Sequence, residues 1–399
     1  MSRRRRFWTP NSLVIILTRN RPKTLGRCVD IALKSIGRSD ALIVLDDSTK
    51  RYRRKNHAVL LENFRGQTSV MHLPVRDCIN ALTKYLPASA LEWTKRTAQR
   101  DIAPIRNVSL ILSRCFQTEH ILLVDDDIGE FDVATTRHWV KDLAEKYGSV
   151  VAGAHIGGVD ETDIISRLES GIKRACTCAH NGGGRISARE SFTVIPVATE
   201  DPNRSEFVSG GYLSFKFAPD VLEPFPPGYN EDWLWCLSLQ QRGMASIFRI
   251  PQVVKHDPIV IRRPNEDDVF FELRGDVALQ NERAREVSDC RPEGRLVGSD
   301  DACGEQADDS DGPERRVEKL FTQVEQHQDQ CGSFISDQFR PFGLEVLKRM
   351  QADLLLRLDW GDEFQRWKLQ SVKSRDSFFE AMHGSVTEKL SQFIEKGRL

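Results

Sequence analysis

The order of apolar and polar positions predicts strands and helices that alternate along the first part of the chain. Residues 13–17 are an uninterrupted run of branched aliphatic side chains, typical of a strand buried on both faces of a parallel sheet. Arg21-Pro22 ends that run, and residues 23–36 then carry their apolar side chains on one helical stripe. Residues 41–45 form the next apolar run and predict a second strand.

The same alternation returns further along the chain. Residues 108–115 predict a helix, residues 121–124 a strand, and residues 232–242 another helix. Strands that alternate with helices favour right-handed βαβ units and therefore an α/β fold with a parallel sheet. Ligands of such sheets bind beyond the carboxyl ends of the strands. Two acidic clusters are predicted to lie at those ends, Asp46-Asp47 and Asp125-Asp126-Asp127.

Composition narrows the class of protein. The 399 residues are 40% hydrophobic and 29% charged, which allows a real core, excludes wholesale disorder and suggests two or three units. The charge is unevenly distributed, because residues 1–120 hold 23 Lys and Arg against 9 Asp and Glu while the whole chain has a net charge of −1. A basic first third suits an anionic ligand, either a phosphate or a nucleic acid.

Apolar runs and cysteines indicate the compartment. No run approaches the ~20 apolar residues of a membrane span, so we expect no integral membrane insertion. The arginines of MSRRRRFW are not followed by the apolar stretch of an export signal. Nine scattered cysteines without a CxxC pair favour reduced, mostly buried thiols and a cytoplasmic protein. Cys176 and Cys178, with His180, are spaced too closely for a typical zinc site.

Shifts in composition divide the chain into four parts. We expect a basic disordered arm over 1–11, an α/β domain over 12–262, an acidic segment over 263–316 that is largely linker, and a helical appendage over 317–399. The acidic segment has 16 Asp and Glu, 8 Arg and no Lys, and its second half offers little apolar surface to offset the entropy of ordering. The apolar stripe of the appendage would pack on the domain or join two copies in a homo-oligomer.

The aspartates after residues 121–124 need a partner, because unpaired carboxylates are costly to bury. Oxygen ligands favour Mg²⁺ or Mn²⁺, which one or two carboxylates hold together with the phosphates of a substrate. On an extended chain the side chains of Asp125 and Asp127 point the same way, so both can approach one ion while Asp126 faces elsewhere. The alternative is an acidic loop that caps the next helix.

Four blocks of sequence together resemble one known family. IAPIRNVSLILSRCFQTEHILLVDDDI resembles the stretch of family-2-like glycosyltransferases in which an Arg-Asn pair opens a helix and a strand ends in a metal-binding DxD. LVIILTRNRPKTLGRCVDIALKS with ALIVLDDS looks like the first β-α-β unit of that family. EFVSGGYLSFKFAPDVLEPFPPGYNEDWLWCLSLQQRG looks like its acceptor-side block, and VVKHDP supplies a histidine where several relatives place a further ligand. The resemblance covers about residues 12–260.

This resemblance implies a GT-A (Rossmann-like) fold, a mixed but mainly parallel sheet flanked by helices. Residues 12–130 would be the nucleotide-sugar half and residues 131–262 the acceptor half. Asp232 would act as the general base, with Glu231 as the alternative, and Asp125, Asp127 and His256 would hold the metal. The implied nucleotide-sugar-binding residues are Thr18, Arg19, Asn20, Asp46, Asp47, Arg106, Asn107, Asp125, Asp126, Gly210 and Gly211.

Each of these residues also has an ordinary structural interpretation. Asp46 and Asp47 could cap a turn or helix, and a carboxylate at the start of a helix, such as Asp232, is favoured there in any case. Arg106 could pair with the same aspartates instead of a diphosphate. His256 could be a satisfied surface histidine.

The implied activity is metal-dependent, inverting transfer of a sugar from a nucleotide-diphosphate sugar, with a UDP-sugar favoured. The acceptor would be a peptide, a glycan, a lipid-linked sugar or a metabolite. The chain lacks the Gln/Arg-x-x-Arg-Trp sequence of processive synthases, which favours addition of one or a few sugars. A sugar-phosphate nucleotidyltransferase is an alternative, although TRNRPKTLG holds only one glycine. A nucleic-acid binder using residues 3–6 and 51–55 is another, although aromatics are not interleaved with those basic runs.

Overall fold

A computed structural model describes most of the first 256 residues and parts of the C-terminal region. The described residues are 10–65, 70–96, 101–116, 118, 120–157, 205, 208–216, 223–256, 271–272, 274–275, 278–279, 282, 360–382, 389–390, 392–394 and 396–397. Outside the described residues lie the basic arm at 3–6, the stretch with Cys176, Cys178 and His180, and most of the acidic segment, including 283–316. The helical stretch expected over 317–330 and much of that expected over 343–398 also lie outside them.

The described residues form one eight-stranded sheet in the order β3-β2-β1-β4-β7-β6-β8-β5. The strands are β1 (Ser12–Thr18), β2 (Ala41–Asp46), β3 (Val70–Pro74), β4 (His120–Asp125), β5 (Ile128–Gly129), β6 (Val150–Gly157), β7 (Tyr212–Lys216) and β8 (Ser246–His256). Strands β1 to β4 pair in parallel, β7 is antiparallel to both of its neighbours, and β6 pairs in parallel with β8. The sheet is therefore mixed and mainly parallel, as predicted.

Helices connect these strands and cover both faces of the sheet. They are α1 (Pro22–Ser35), α2 (Lys50–Phe64), α3 (Val75–Leu82), α4 (Ala88–Leu91), α5 (Ala103–Phe116), α6 (Val133–Tyr147), α7 (Glu231–Gln241) and α8 (Trp360–Ala381). Local chemistry sets several of their ends. Pro22 occupies the first turn of α1, where its missing N–H costs nothing. The Asp132 carboxylate caps α6 by accepting from the N–H of Ala134 at 2.9 Å.

Side chains alternate between the two faces of the sheet along each strand and so pack into two hydrophobic layers. In β1 every residue is buried; Leu13, Ile15 and Leu17 point into one layer, whereas Val14 and Ile16 point into the other. The first layer includes residues of α3, α4, α5, α7 and α8, and the second includes residues of α1, α2 and α6. Because both faces are covered, an uninterrupted apolar run was the correct sequence signal for this strand.

The strands and helices predicted within the α/β domain are present within one or two residues, except that α5 begins five residues earlier than expected. Its start at Ala103 places Pro104, which cannot donate a backbone hydrogen bond, in the first turn. The basic stretch 51–55 lies in α2, and β3 follows it as the edge strand of the parallel half. These two elements had no clear pattern, since α2 buries only Asn56, Leu60 and Phe64.

Several described residues of the C-terminal region share the core of the α/β domain. Phe364 and Phe378 of α8, together with Leu390 and Ile394, belong to the same hydrophobic cluster as β1. Ala278 and Leu279 join that cluster too, and Lys368 of α8 pairs with buried Glu282 at 3.0 Å. These described residues of the segment expected to be largely linker therefore contact the folded unit.

Candidate active site

Strand direction gathers the acidic clusters at one edge of the sheet. Since β1, β2 and β4 are parallel, Thr18, Asp46 and Asp125 end neighbouring strands side by side. Strand β8 runs in the same direction through β6 and β7, so His256 reaches this edge as well. Gly210 and Gly211 precede the antiparallel β7 and therefore lie here too.

The chain turns immediately after β4, and this turn decides where the three aspartates point. We call Asp125, Asp126 and Asp127 the aspartate turn. The N–H of Asp125 donates to Gly211 O at 2.9 Å, and the N–H of Asp126 donates to Leu17 O at 3.1 Å. Asp126 therefore does not face away from Asp127, as an extended chain would have placed it. Both of their carboxylates meet Arg21 instead.

Arg21 and Thr18 hold Asp126 and Asp127. The Arg21 Nη1 donates to Asp126 Oδ1 at 3.1 Å and also to Asp127 Oδ2. The Thr18 hydroxyl donates to Asp126 Oδ2, which fills the second oxygen of that side chain. Both aspartates are almost completely buried. Burial raises the pKa of Asp126 to about 7, although Arg21 and Thr18 favour its ionised form.

One buried oxygen of the aspartate turn has no hydrogen-bond partner. Asp127 Oδ1 is buried without a hydrogen-bond partner, and His256 Nε2 lies 3.4 Å from it. Burial raises the pKa of Asp127, but the contact with His256 and the charge of Arg21 outweigh it, so the pKa is lowered overall. Asp127 is therefore the ionised member of the turn, with a free lone pair beside an imidazole nitrogen.

Arg106 joins the aspartate turn to the start of α7. Its buried guanidinium lies 3.3 Å from Glu231 Oε1 through Nε and 3.8 Å from Asp125 Oδ2 through Nη2. Gly210 makes room for it, because a Cβ at that position would come within 1.7 Å of Arg106 Nη1. Burial raises the pKa of Glu231 to about 8 against the opposing charge of Arg106.

Asp232 is the more accessible of the two acids that open α7. It is half-buried, whereas Glu231 is 5% exposed. Its Oδ2 accepts from the N–H of Gly210 at 2.6 Å and its Oδ1 from the N–H of Trp233 at 2.9 Å. Asn230 precedes it in a left-handed conformation, φ 59°, which turns the chain into the helix. A carboxylate anchored by backbone donors, with lone pairs to spare, is suited to accepting a proton.

The Asp46 carboxylate, by contrast, is fully hydrogen-bonded within the Asp46 cluster, which is made of Asp46, Ser48, Asn56 and His72. Asp46 is fully buried, and its oxygens accept from His72 Nε2 at 2.9 Å, Asn56 Nδ2 at 3.0 Å and the N–H of Ser48 at 2.8 Å. Burial raises the pKa of Asp46, but these hydrogen bonds, that of His72 first, outweigh it and lower the pKa. Asp46 therefore faces the interior and is not exposed to a ligand.

Asp47 faces the cleft and is flanked by arginines. Its side chain is 19% exposed and contacts Arg96, while Arg19 Nε lies 3.7 Å from Asp47 Oδ2. Burial and the neighbouring charge of Arg96 lower the pKa of Arg19. Of the two acids that end β2, Asp47 is the one with an oxygen open to a ligand.

Two predicted binding residues are used to hold the chain together. The Asn107 amide donates to Trp93 O and Phe225 O at 2.9 and 3.0 Å, and its oxygen accepts from the N–H of Phe225 at 2.7 Å. Asn20, at φ 62°, accepts from the N–H of Thr49 at 3.0 Å and so ties the loop after β1 to the loop after β2. Both side chains therefore stabilise the structure around the candidate site through contacts within the chain.

The described residues fit a divalent cation in part. They contain no group of three or more His, Cys, Asp or Glu side chains placed to hold a metal. Mg²⁺, however, is commonly bound through one or two carboxylates and the phosphates of a substrate. Asp127 Oδ1, lacking a hydrogen-bond partner, and His256 Nε2 beside it offer the start of such a site. When ionised, Asp125, Asp126, Asp127 and Glu231 carry four negative charges against the two of Arg21 and Arg106.

Arg21 and Arg96 were missed by reasoning from the sequence. Arg21 counted only as a strand breaker beside Pro22, and Arg96 falls in a stretch without a clear pattern. The one available signal was the position of Arg21 immediately after β1, at the edge where ligands bind. The four described cysteines, Cys28, Cys78, Cys115 and Cys236, are buried and free, as predicted.

Comparisons with known proteins give distant structural likenesses. No family model matches the chain, and no curated protein matches it. A solved mycobacterial protein is 15% identical over 68% of this chain and 74% of its own, with a TM-score of 0.41. Glucosyl-3-phosphoglycerate synthase from Mycobacterium tuberculosis, in complex with Mn²⁺, UDP and phosphoglyceric acid, is 16% identical over 73% of this chain and 82% of its own, with a TM-score of 0.40.

The same synthase solved with Mn²⁺, UDP-glucose and phosphoglyceric acid is 14% identical over 69% of this chain and 80% of its own, with a TM-score of 0.41. In the part of the chain that the structure describes, every helix is too short or too polar to serve as a membrane span.

Proposed function

We propose that this protein is a metal-dependent, inverting glycosyltransferase that uses a nucleotide-diphosphate sugar, with a UDP-sugar favoured. One observation carries the proposal. At the carboxyl edge of the sheet, the buried Arg106 lies between Asp125 on one side and Glu231 on the other, so the aspartate turn and the start of α7 form one charged unit. Such a unit supports the proposal because a cation held by the aspartate turn and a base at the start of α7 would then lie on opposite sides of Arg106.

On the donor side, a nucleotide diphosphate would meet two sources of positive charge, arginine side chains and a bound cation. Arg19 and Arg96 are partly exposed beside Asp47, where guanidinium groups suit phosphate oxygens. Asp127 and His256 would hold Mn²⁺ or Mg²⁺, with Asp125 nearby. When bound, such a cation would neutralise the diphosphate and the charge that develops on the leaving group.

On the acceptor side, Asp232 would accept the proton of the attacking hydroxyl. Geometry favours it over Glu231, because Glu231 is buried against Arg106 whereas Asp232 is half-buried and anchored by the N–H of Gly210. An attack from the face opposite the diphosphate inverts the anomeric centre. The acceptor stays open among a peptide, a glycan, a lipid-linked sugar and a metabolite.

A ligand panel tests the proposal. Thermal melting of the full chain with UDP-, GDP- and dTDP-sugars, each with and without Mn²⁺, should show a raised midpoint for one nucleotide only when Mn²⁺ is present. Asp127→Asn should lose that Mn²⁺-dependent rise, whereas Asp142→Asn, an exposed carboxylate of α6, should keep it. Donor hydrolysis should then release the sugar with its anomeric configuration inverted, as read by NMR.

Three results would count against the proposal. Mn²⁺-independent stabilisation by every nucleotide sugar would contradict the metal requirement, and retention of configuration would contradict the inverting chemistry. Turnover of a nucleoside triphosphate with a sugar phosphate, but of no nucleotide sugar, would favour the nucleotidyltransferase instead.

A further inference from the structure

Arg21 contacts the aspartate turn but has no role in the proposed chemistry. It directly precedes α1, and its side chain is 29% exposed at the edge of the cleft. Its Nη1 lies 3.1 Å from Asp126 Oδ1 and also contacts Asp127 Oδ2. One guanidinium nitrogen thus serves the carboxylates of two successive residues.

These contacts leave the two aspartates in different states. Both oxygens of Asp126 accept a hydrogen bond, because the Thr18 hydroxyl donates to the oxygen that Arg21 does not contact. Asp127 keeps one oxygen, Oδ1, which is buried, lacks a hydrogen-bond partner and lies 3.4 Å from His256 Nε2. Arg21 therefore leaves Oδ1 as the oxygen of Asp127 that is available to a cation.

The positive charge of Arg21 also opposes any second cation at that oxygen. A guanidinium on one oxygen of a buried carboxylate and a divalent ion on the other repel each other strongly, since the dielectric screening is weak there. A bound diphosphate would bring negative charge to the same place and offset that repulsion. The cation and the diphosphate should then bind more tightly together than either does alone.

We propose that Arg21 is a positioning residue that keeps the affinity of the aspartate turn for a free divalent cation low until a nucleoside diphosphate is present. The proposal rests on the proposed function for its donor and its cation. Its consequence is coupled binding, in which the nucleotide and the metal enter the site as partners.

The test measures Mn²⁺ binding by electron paramagnetic resonance, in which the signal of free aqueous Mn²⁺ falls as the ion binds. Wild type, Arg21→Gln, Arg21→Lys and the exposed control Arg38→Gln are titrated with and without UDP. Wild type and Arg38→Gln should bind Mn²⁺ weakly alone and about tenfold or more tightly with UDP. Arg21→Gln should bind Mn²⁺ at least about tenfold more tightly than wild type without UDP.

Arg21→Lys separates charge from shape. It keeps the unit charge, so its affinity for Mn²⁺ without UDP should stay within about threefold of wild type. In Arg21→Gln the further gain from UDP should shrink to less than about threefold, because the repulsion that UDP offsets is gone. If Arg21→Gln is unstable without metal, its melting midpoint should rise more steeply with Mn²⁺ than that of wild type.

Two outcomes overturn the proposal: Arg21→Gln binding Mn²⁺ alone no more tightly than wild type, or Arg21→Lys matching the tenfold gain of Arg21→Gln. Failure of the proposed function looks different. In that case Arg21→Gln still gains affinity for Mn²⁺ alone, but neither UDP nor any other nucleoside diphosphate changes Mn²⁺ binding in wild type.

Discussion

The carboxylates of Asp46 and Asp127 both lie at the carboxyl edge of the sheet, yet only that of Asp46 has a hydrogen-bond donor on each oxygen. Asp46 is bonded to His72, Asn56 and Ser48, and no part of its side chain is exposed. Asp127 retains one buried oxygen, Oδ1, without a hydrogen-bond partner. Buried carboxylate oxygens are normally satisfied, so the difference favours the aspartate turn as the place where a ligand binds.

The largest expected effect is that of a substitution at Asp232, which lies at the start of α7 next to the aspartate turn's partner Arg106. Asp232→Asn should lower donor turnover by about 10²–10⁴, the usual effect of losing a general base, while nucleotide affinity stays close to wild type. The measurement is kcat for donor turnover, with UDP affinity measured by calorimetry. Glu231→Gln is the matched comparison and should instead lower stability, because it removes the partner of Arg106. A variant Asp232→Asn with full turnover would assign the base elsewhere.

Gly210→Ala should lower the stability of the protein and displace Arg106 from its position between the aspartate turn and α7. Its Cβ would come within 1.7 Å of Arg106 Nη1, so the guanidinium must leave Glu231 and stay buried without a partner. Breaking a buried pair in this way costs about 3–5 kcal/mol. Gly26→Ala is the control, because its Cβ would meet only a methyl of Val59 at 3.1 Å. Equal urea midpoints for the two variants would show that Arg106 is not confined as described.

Asp46→Asn sharpens the contrast with the aspartate turn. It replaces a carboxylate that accepts three hydrogen bonds, so the free energy of unfolding should fall by about 3 kcal/mol, while UDP and Mn²⁺ binding by the folded fraction is retained. Asp127→Asn should do the opposite and abolish Mn²⁺ binding with little loss of stability. Urea unfolding and Mn²⁺ titration of both variants check this. Loss of stability in Asp127→Asn and of binding in Asp46→Asn would reverse the assignment.

Acid should act on the Asp46 cluster with a smaller effect. The pKa of Asp46 is lowered in the folded protein, so this carboxylate contributes stability that is present above its unfolded pKa of about 3.9 and is lost as the pH falls through the folded value. Wild type should therefore lose about 1 kcal/mol or more relative to Asp46→Asn between pH 5 and the acid limit of folding. Parallel stability curves for the two proteins would contradict this.

Local chemistry could be predicted from the sequence, and long-range partners could not. The run 13–17 and the acidic residues after each strand predicted β1, β2, β4 and their common edge, because those signals depend only on neighbouring residues. The difference between Asp46 and Asp127 depends on His72, which is 26 positions from Asp46, and on Arg21, which is 106 positions from Asp127. A single sequence carries no sign of such pairings.

The acceptor side shows the same limit. The Gly-Gly turn was recognised as a block, but its reason is the guanidinium of Arg106, which a side chain at Gly210 would displace. Asn107, next to Arg106, was predicted to bind the nucleotide sugar, although its amide is hydrogen-bonded to the backbone of Trp93 and Phe225. Both facts follow from the contacts of α5 with Glu231, Trp93 and Phe225, which are distant in the sequence and meet only in three dimensions.

The most direct test of the open aspartate turn is a crystal structure of the full chain with Mn²⁺ and UDP, collected at a wavelength where Mn²⁺ scatters anomalously. We expect an anomalous peak within coordination distance of Asp127 Oδ1 and close to the diphosphate, with Asp46 still bonded to His72 and Asn56. A peak at the Asp46 cluster, or UDP bound with no peak at the aspartate turn, would contradict this expectation.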